Sequence, residues 1–206
     1  MVNYIDSFKR PFADAKKFLI GAVLSLIPIV NLLAIGYYIK LSKTAAKAKP
    51  SFKLPEWENW SDLFVKGLLS VIINLIYALP AIILIFLSIG NMMITQALTS
   101  PAAFLSALGP GMIFAGILAL LAAYITPLAV IHFINTDKFS NAFDLKKLTK
   151  KALTTTYALP WLVATVYSIV IAGVLGLIPY VGAMIGSFIA GVTMFTLLGQ
   201  AYYEAK

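Results

Sequence analysis

Long apolar stretches dominate the chain. Charged side chains are absent from residues 18–39, 67–136 and 152–203. A membrane-spanning helix needs about 20 apolar residues, so the first stretch has room for one span and each of the others for two. The apolar residues run continuously instead of alternating with polar ones, which favours helices over the strands of a membrane barrel.

We therefore predict an all-α membrane protein, a single integral domain with five apolar segments. The segments cover residues 18–39, 67–89, 111–134, 154–177 and 182–203. Three lysine-rich segments flank them, at residues 1–17, 40–66 and 135–151. Basic loops stay in the cytoplasm, so the second and third segments form one transmembrane hairpin and the fourth and fifth form another. Both termini are expected at the cytoplasmic side of the plasma membrane.

The first apolar segment does not fit a single crossing, because both of its flanks are basic. Its sequence VLSLIPIV (23–30) recurs as VLGLIPYV (174–181), where the chain must turn tightly between the last two spans. The repeat favours a re-entrant hairpin with Pro28 and Asn31 at its tip, because proline breaks a helix and asparagine can satisfy freed backbone groups. The alternative is one ordinary span with a proline kink and an external N-terminus.

A second repeat divides the remaining chain into two units. NWSDL (59–63) precedes YALP (77–80), and NAFDL (141–145) precedes YALP (157–160). Both copies start on the same side of the membrane, so the repeat is parallel. The units are residues 40–134 and 135–206.

Amphipathic lead-ins precede the spans. Pro55 to Lys66 is predicted as a short surface helix, with Trp57, Trp60 and Phe64 on one face. A second, more basic stripe comprises Phe139, Phe143, Leu148 and Ala152, backed by Lys146, Lys147, Lys150 and Lys151. A third and weaker stripe comprises Tyr4, Phe8 and Phe12. Such helices either engage anionic lipid headgroups at the interface or simply position the spans that follow.

Charge and composition exclude several functions. The net charge is +8, but the bases lie beside the spans, so we expect no nucleic-acid partner. Every acidic residue lies outside the apolar segments, which argues against a proton-coupled carrier. The chain has no cysteine, and its single histidine, His132, has no neighbours suited to a metal site. No catalytic or nucleotide-binding motif is present, so we expect neither enzymatic activity nor a cofactor.

A few polar and small residues lie within the apolar segments. A small polar cavity is one possible use, and its candidate lining is Asn74, Tyr77, Tyr124 and Thr126. The last segment carries small residues at every fourth position, Gly182, Gly186 and Ala190, which permits close helix approach. That contact is expected within the bundle, with a homo-oligomer as the alternative.

Three parts of the sequence carry a family resemblance: IPIVNLLAIGYYIK (27–40), LPEWENWSDLFVKGL (54–68) and the NAFDL lead-in. Together they resemble domain-of-unknown-function family 4013, prokaryotic membrane proteins common in archaea. The resemblance covers nearly the whole chain and implies a small polytopic membrane protein. It implies no activity and transfers no functional residue.

The function expected from the sequence is non-enzymatic. We expect an integral membrane protein that organises lipid or protein partners, or membrane shape, from the cytoplasmic face. The alternative is a channel or carrier for a small neutral solute. A lipid-modifying enzyme is the least favoured class, because no acid, base or nucleophile is found within the spans.

Overall fold

The structure is a computed structural model that describes residues 1–47, 52–94 and 109–205. All the regular structure in these ranges is helical. The described residues form eight α-helices: α1 (Tyr4–Lys9), α2 (Ala15–Leu26), α3 (Asn31–Ala45), α4 (Trp60–Ile94), α5 (Pro110–Thr136), α6 (Leu145–Ala152), α7 (Thr155–Leu175) and α8 (Val181–Glu204). Short 3₁₀ turns lie at Arg10–Phe12 and Phe139–Phe143.

Four of the described helices are long and apolar enough to cross a membrane. Their membrane-length portions are Trp60–Gly90, Gly111–Thr136, Thr155–Leu175 and Val181–Glu204. They coincide with the second to fifth apolar segments, so the prediction of an all-α protein with four potential spans is confirmed. α7 ends and α8 begins at the predicted turn between residues 176 and 182.

The chain forms two compact units. The first comprises Met1–Val71 and Pro127–Lys206, and the second comprises Ile72–Thr126. These units do not follow the sequence repeat, because repeat unit 40–134 contributes to both. A repeat in sequence reflects local structure, whereas compactness depends on which helices pack together.

The core of the first unit is built around α8. Phe188 and Val192 are buried there with Tyr37 and Leu41 of α3. Near its start, Gly182 lies against the backbone and Gly186 against the side chain of Leu175 in α7. The small-residue positions Gly182 and Gly186 therefore serve contact within the chain, as expected.

The first apolar segment is divided into two helices by a tight turn. α2 ends at Leu26 and α3 begins at Asn31, so Pro28 lies in the turn between the two helices. Ile29 has φ 68°, and Tyr180, its counterpart in the sequence repeat, has φ 60°. In both copies the next residue donates its N–H to the proline carbonyl, from Val30 to Pro28 at 2.8 Å and from Val181 to Pro179 at 2.6 Å. The repeated sequence thus forms the same γ-turn twice.

The predicted surface helix Pro55 to Lys66 is wrong in its first half. Residues 55–59 are not helical, and Trp60 begins α4, which continues without interruption into the span. Asn59 has φ 56°, a left-handed conformation that asparagine tolerates better than most residues, and its carbonyl accepts the N–H of Leu63 at 3.0 Å. Trp57 lies before the helix, where its ring stacks on Tyr37 and also contacts the ring of Trp60 at a centroid distance of 5.9 Å.

The second unit is formed by α4 from Ile72 onward and by α5 as far as Thr126. Small or branched side chains are buried within it, including Ala81 and Ala115. Large apolar side chains face outward, with Phe86 71% and Leu120 67% exposed. An apolar exterior of this kind is expected where lipid is the solvent.

Candidate functional site: the strapped end of the hairpin

The α2–α3 hairpin has an open end opposite its γ-turn. Arg10, which precedes α2, donates from Nη2 to the hydroxyl of Thr44 at 2.7 Å and from Nη1 to the carbonyl of Leu41 at 3.4 Å. Leu41 and Thr44 lie in the last turns of α3. The start of α2 and the end of α3 are therefore neighbours, and the segment turns back on itself.

An extended segment, residues 52–59, lies across this open end, and we call it the strap. Each of four consecutive strap carbonyls accepts a hydrogen bond from a side chain of the hairpin or the turn before it. The bonds are Arg10 Nη2 to Lys53 at 3.1 Å, Lys17 Nζ to Leu54 at 3.0 Å, Tyr37 OH to Pro55 at 2.8 Å and Lys40 Nζ to Glu56 at 3.1 Å. Three of the four donors are cationic, and charge-assisted bonds are the stronger kind.

Trp57 fastens the middle of the strap. Its ring stacks on Tyr37 with centroids 3.8 Å apart and planes inclined by 7°. Its Nε1 donates to the carbonyl of Lys17 at 3.1 Å. A stacked pair of this kind contributes about 0.5–1.5 kcal/mol beyond the buried area. Trp57, predicted as a membrane-interface residue, is thus an internal contact between strap and hairpin.

Two ion pairs add to the strap's attachment. Lys17 Nζ lies 2.6 Å from Glu56, and Lys40 Nζ lies 2.9 Å from Glu58. The hydrogen bond that Lys17 donates to Glu56 raises the pKa of Lys17. Asp14 caps α2 by accepting the backbone N–H of Lys17 at 3.0 Å, and this bond lowers the pKa of Asp14. The carboxylates are exposed, so each pair contributes little alone.

Reciprocal glycine contacts join α3 to the beginning of α4. A Cβ built on Gly36 would lie 2.6 Å from the carbonyl carbon of Leu63, and one built on Gly67 would lie 2.8 Å from that of Leu32. Each helix therefore presents a glycine to the backbone of the other. The strap and this crossing together fix the hairpin against the beginning of α4.

The N-terminal residues contact the C-terminal part of α8. Thr196 accepts from Arg10 Nη1 at 3.0 Å. Gln200 accepts the backbone N–H of Asn3 at 2.8 Å and donates to the hydroxyl of Ser7 at 2.9 Å. Glu204 forms an ion pair with the amino group of residue 1.

The third basic segment reaches the same end of the first unit. Lys43 of α3 lies 3.1 Å from Asp137, just after α5. Lys151 of α6 donates to the carbonyls of Tyr202, in the last turn of α8, and of Ala205, which follows that helix, and burial lowers the pKa of Lys151. The three lysine-rich segments predicted to share one side of the membrane therefore meet at one end of this unit.

The apolar stripe predicted at α6 is only partly exposed. Leu148 and Ala152 are buried in the protein, so they are not available to lipid. Leu145 and Leu153 are 56% and 86% exposed, and they lie beside the exposed lysines 146, 147 and 150. Phe139 and Phe143 belong to the 3₁₀ turn before α6 and pack edge to face at 5.5 Å. Trp60 is 44% exposed and Phe64 is half-buried on α4.

The residues predicted to line a polar cavity all lie in the second unit. Asn74 is exposed, Tyr77 and Tyr124 are half-buried, and Thr126 is buried with no hydrogen-bond partner for its hydroxyl among the described residues. Three cavities of about 720, 380 and 420 Å³ are lined by other residues, near the N-terminal segment and the strap.

His132 and the acidic residues form no metal site. His132 is buried, and its Nδ1 lies 2.7 Å from the hydroxyl of Tyr202. Within residues 1–47, 52–94 and 109–205, no group of three His, Asp or Glu side chains is placed to hold a metal ion.

Sequence reasoning missed Arg10, Tyr37 and the strap as a connected site. One signal was present, because Arg10 is the only arginine among sixteen basic residues. A guanidinium offers five donors in a fixed fork and suits buried contacts better than an ammonium. The paired tyrosines 37 and 38, in an otherwise apolar segment, were a second signal.

The fold and site define a class of protein: a helical membrane protein with four helices of spanning length and a strapped N-terminal hairpin. The chain belongs to the family described as "Protein of unknown function (DUF4013)", whose model matches residues 20–180. The match includes most of the hairpin, the strap and the first three long helices. No curated protein and no solved structure matches the chain.

Proposed function

We propose that this protein organises lipids and shapes the membrane from its strapped basic end, without catalysing a reaction. The observation that carries the proposal is the hairpin itself. The chain enters and leaves the hairpin at the end where the three basic segments meet, so in a membrane the hairpin would add volume to one leaflet. An ordinary span would add equally to both leaflets.

The limbs are too short for either one to span the membrane alone. α2 has 12 residues and α3 has 15, which correspond to about 18 and 22 Å at a rise of about 1.5 Å per residue. The hydrocarbon core of a bilayer is about 30 Å thick. The outer face of α2 carries a helical stripe, with Leu19 61%, Val23 49% and Leu26 47% exposed. Such a stripe is suited to contact with lipid acyl chains.

The basic end is proposed to face the cytoplasm of a prokaryotic cell, with both termini on that side. The positive-inside rule favours this orientation for all three lysine-rich segments. Exposed lysines on α6, flanked by Leu145 and Leu153, suit contact with anionic headgroups. Anionic membrane lipids are therefore the proposed partners.

Reconstitution into vesicles tests the proposed activity. Purified protein is incorporated into vesicles of phosphatidylcholine alone or with phosphatidylglycerol, and electron microscopy measures vesicle diameter against protein density. We expect smaller or tubular vesicles as protein density rises, with a stronger effect in the anionic mixture. Vesicles that keep their diameter in both mixtures, with the protein inserted and folded, overturn the proposal.

Cysteine labelling tests the hairpin's re-entry separately. The chain contains no cysteine, so Lys17→Cys and Lys43→Cys each give a single reporter. We expect an impermeant thiol reagent to leave both unlabelled in intact cells and to label both in inverted membranes. Labelling of only one position in intact cells would show that the segment crosses the membrane. Glu204→Cys is a control for the side of the C-terminal end.

A further inference from the structure

Arg10 is a buried cation without an anionic side-chain partner. Its side chain is 1% exposed, and burial lowers its pKa to about 10, so it remains charged at neutral pH. Its terminal nitrogens bond two threonine hydroxyls and two backbone carbonyls, all of them neutral. A buried charge is costly unless an opposite charge or a dipole compensates it.

Every acidic side chain of the protein lies in the described ranges and has another partner. Seven form ion pairs elsewhere: Asp14 and Glu56 with Lys17, Glu58 with Lys40, Asp62 with Lys66, Asp137 with Lys43, Asp144 with Lys147, and Glu204 with the amino group of residue 1. The eighth, Asp6, accepts from the side chain of Asn3 at 2.7 Å. The C-terminal dipole of α3 supplies only about half a charge near Leu41 and Thr44.

A cavity of about 380 Å³ adjoins Arg10, lined also by Asp6, Lys9, Phe12, Ala13 and Phe52. The Nε of Arg10 is buried and has no hydrogen-bond partner among the described residues. Lys9 is exposed and adds a second cation, which outweighs the single carboxylate of Asp6. Phe12, 61% exposed, gives the cavity an apolar wall on the side of α2.

We propose that this cavity binds a phosphate group, with Arg10 and Lys9 as its cationic ligands. The terminal nitrogens of Arg10 already donate four hydrogen bonds within the protein, so Arg10 offers a phosphate its charge and its Nε–H. The cavity is larger than a phosphate alone needs, and its aromatic wall suits the glycerol and first acyl carbons of a phospholipid. Basic pockets beside helices on the cytoplasmic side bind lipid headgroups in this way.

The lipid source of the phosphate rests on the proposed function, which places this end of the protein at a leaflet surface. The phosphate site itself does not. If the protein acts in another way, free inorganic phosphate or a soluble phosphate ester remains a ligand with the same chemistry. The experiment below separates these two sources.

The test uses the full chain purified in a neutral detergent, with inorganic phosphate and dihexanoyl phosphatidic acid as probes and dihexanoyl phosphatidylcholine for comparison. Native mass spectrometry counts retained lipid, and a thermal-unfolding shift gives apparent affinity. We expect one phosphatidic acid per chain. Lys9→Ala should weaken binding about threefold to tenfold, and Arg10→Lys about tenfold or more, because a charge-assisted bond is lost in each.

Lys16→Ala is the matched control, because Lys16 is exposed on the same basic segment and does not line the cavity. It should change affinity less than about twofold. If Lys16→Ala and Lys9→Ala weaken binding equally, or if neither phosphate probe binds the folded protein, the proposal is overturned. Binding of phosphatidic acid without inorganic phosphate assigns a headgroup site, and binding of both assigns a phosphate site open to soluble ligands.

Failure of this inference is distinguishable from failure of the proposed function. Lys9→Ala does not touch the hairpin limbs or the strap carbonyls. If vesicles are still reshaped by a wild-type protein that binds neither phosphate probe, the phosphate site is wrong and the proposed membrane-shaping function stands. If the probes bind as expected but vesicles keep their diameter, the phosphate site stands and the membrane-shaping function is wrong.

Discussion

The crossing of α3 and α4 gives the sharpest test of how the hairpin is held. Replacing Gly36 by alanine would place a methyl group 2.6 Å from the carbonyl carbon of Leu63. Carbon atoms pack best at about 3.5–4.0 Å, so the two helices must separate by about 1 Å. Backbone atoms cannot swing aside as a flexible side chain can.

The expected magnitude follows from two opposing effects. Overpacking costs about 1–3 kcal/mol, and the rigid obstruction at Gly36 places it at the upper value. Alanine's better helix propensity contributes about 1 kcal/mol in the other direction. The expected net loss is therefore about 2 kcal/mol, or a melting temperature lower by about 4–8 °C in a chain of this size. Gly67→Ala, which meets the backbone of Leu32, should behave alike.

Gly173→Ala is the control for this prediction. Gly173 lies inside α7, and no atom would come within 4 Å of a Cβ added there. The same substitution should therefore stabilise the protein by about 1 kcal/mol. Thermal unfolding in detergent, followed by tryptophan fluorescence, compares the variants. If Gly36→Ala and Gly67→Ala melt at or above the wild-type temperature, the two helices do not cross at these glycines.

Three further predictions concern the strap and the turn. Trp57→Ala should lower stability by about 2–4 kcal/mol through the lost stack and hydrogen bond, whereas Trp60→Ala, at a residue 44% exposed, should cost clearly less; equal melting temperatures would contradict the strap contact. Ile29→Gly should leave the free energy of unfolding unchanged or raise it by about 1 kcal/mol, because a β-branched residue at positive φ is strained. A clearly lower free energy of unfolding in a chemical denaturation would show that the turn needs the isoleucine side chain. The pKa of Asp14 is lower in the folded state, so its ionised form stabilises the fold at pH values above the unfolded-state pKa, and this stabilisation is lost as pH falls through the folded-state pKa. The pKa of Lys17 is higher in the folded state, so its stabilisation is present at lower pH and is lost as pH rises through the folded-state pKa. Melting curves across pH should show both limbs. Asp14→Asn should flatten the acid limb and reduce the alkaline limb only in part, because Glu56 still raises the pKa of Lys17.

The hairpin turn shows how far a local pattern carries. The sequence LIPIV (26–30) recurs as LIPYV (177–181), where the chain turns between the last two helices, and this repeat predicts a break at Pro28. Both copies form the same γ-turn. The prediction succeeds because a proline and its neighbours set the backbone locally. Whether this hairpin re-enters the membrane depends on the bilayer, and it remains a proposal with the labelling test above.

The strap is a feature that local sequence patterns do not predict. Trp57, Trp60 and Phe64 have helical spacing, yet only the last two belong to a helix. Tyr37, twenty residues earlier in the chain, takes the ring of Trp57 as a stacking partner, and four side chains bond the strap's carbonyls. A spacing rule considers one segment alone, so it cannot detect that another element provides a better partner.

The phosphate cavity depends on the same long-range packing. Arg10 is one base among several in a polar lead-in, and nothing in its neighbours marks it as buried. Its burial results from α3, α8 and the strap meeting at the open end of the hairpin. The chain's only arginine is the residue whose five-donor fork can serve all three at once.

The sequence alone determines that this chain is a membrane protein of helices, where its long apolar helices lie, and where the N-terminal segment turns. Those properties follow from runs of apolar residues, charge placement and proline, each of which acts over a few residues or a single span. Tertiary structure alone decides that the lysine-rich segments meet, that a strap closes the hairpin, and that Arg10 is buried beside a cavity. These features arise from contacts between elements far apart in the chain, whose free energy no segment carries by itself.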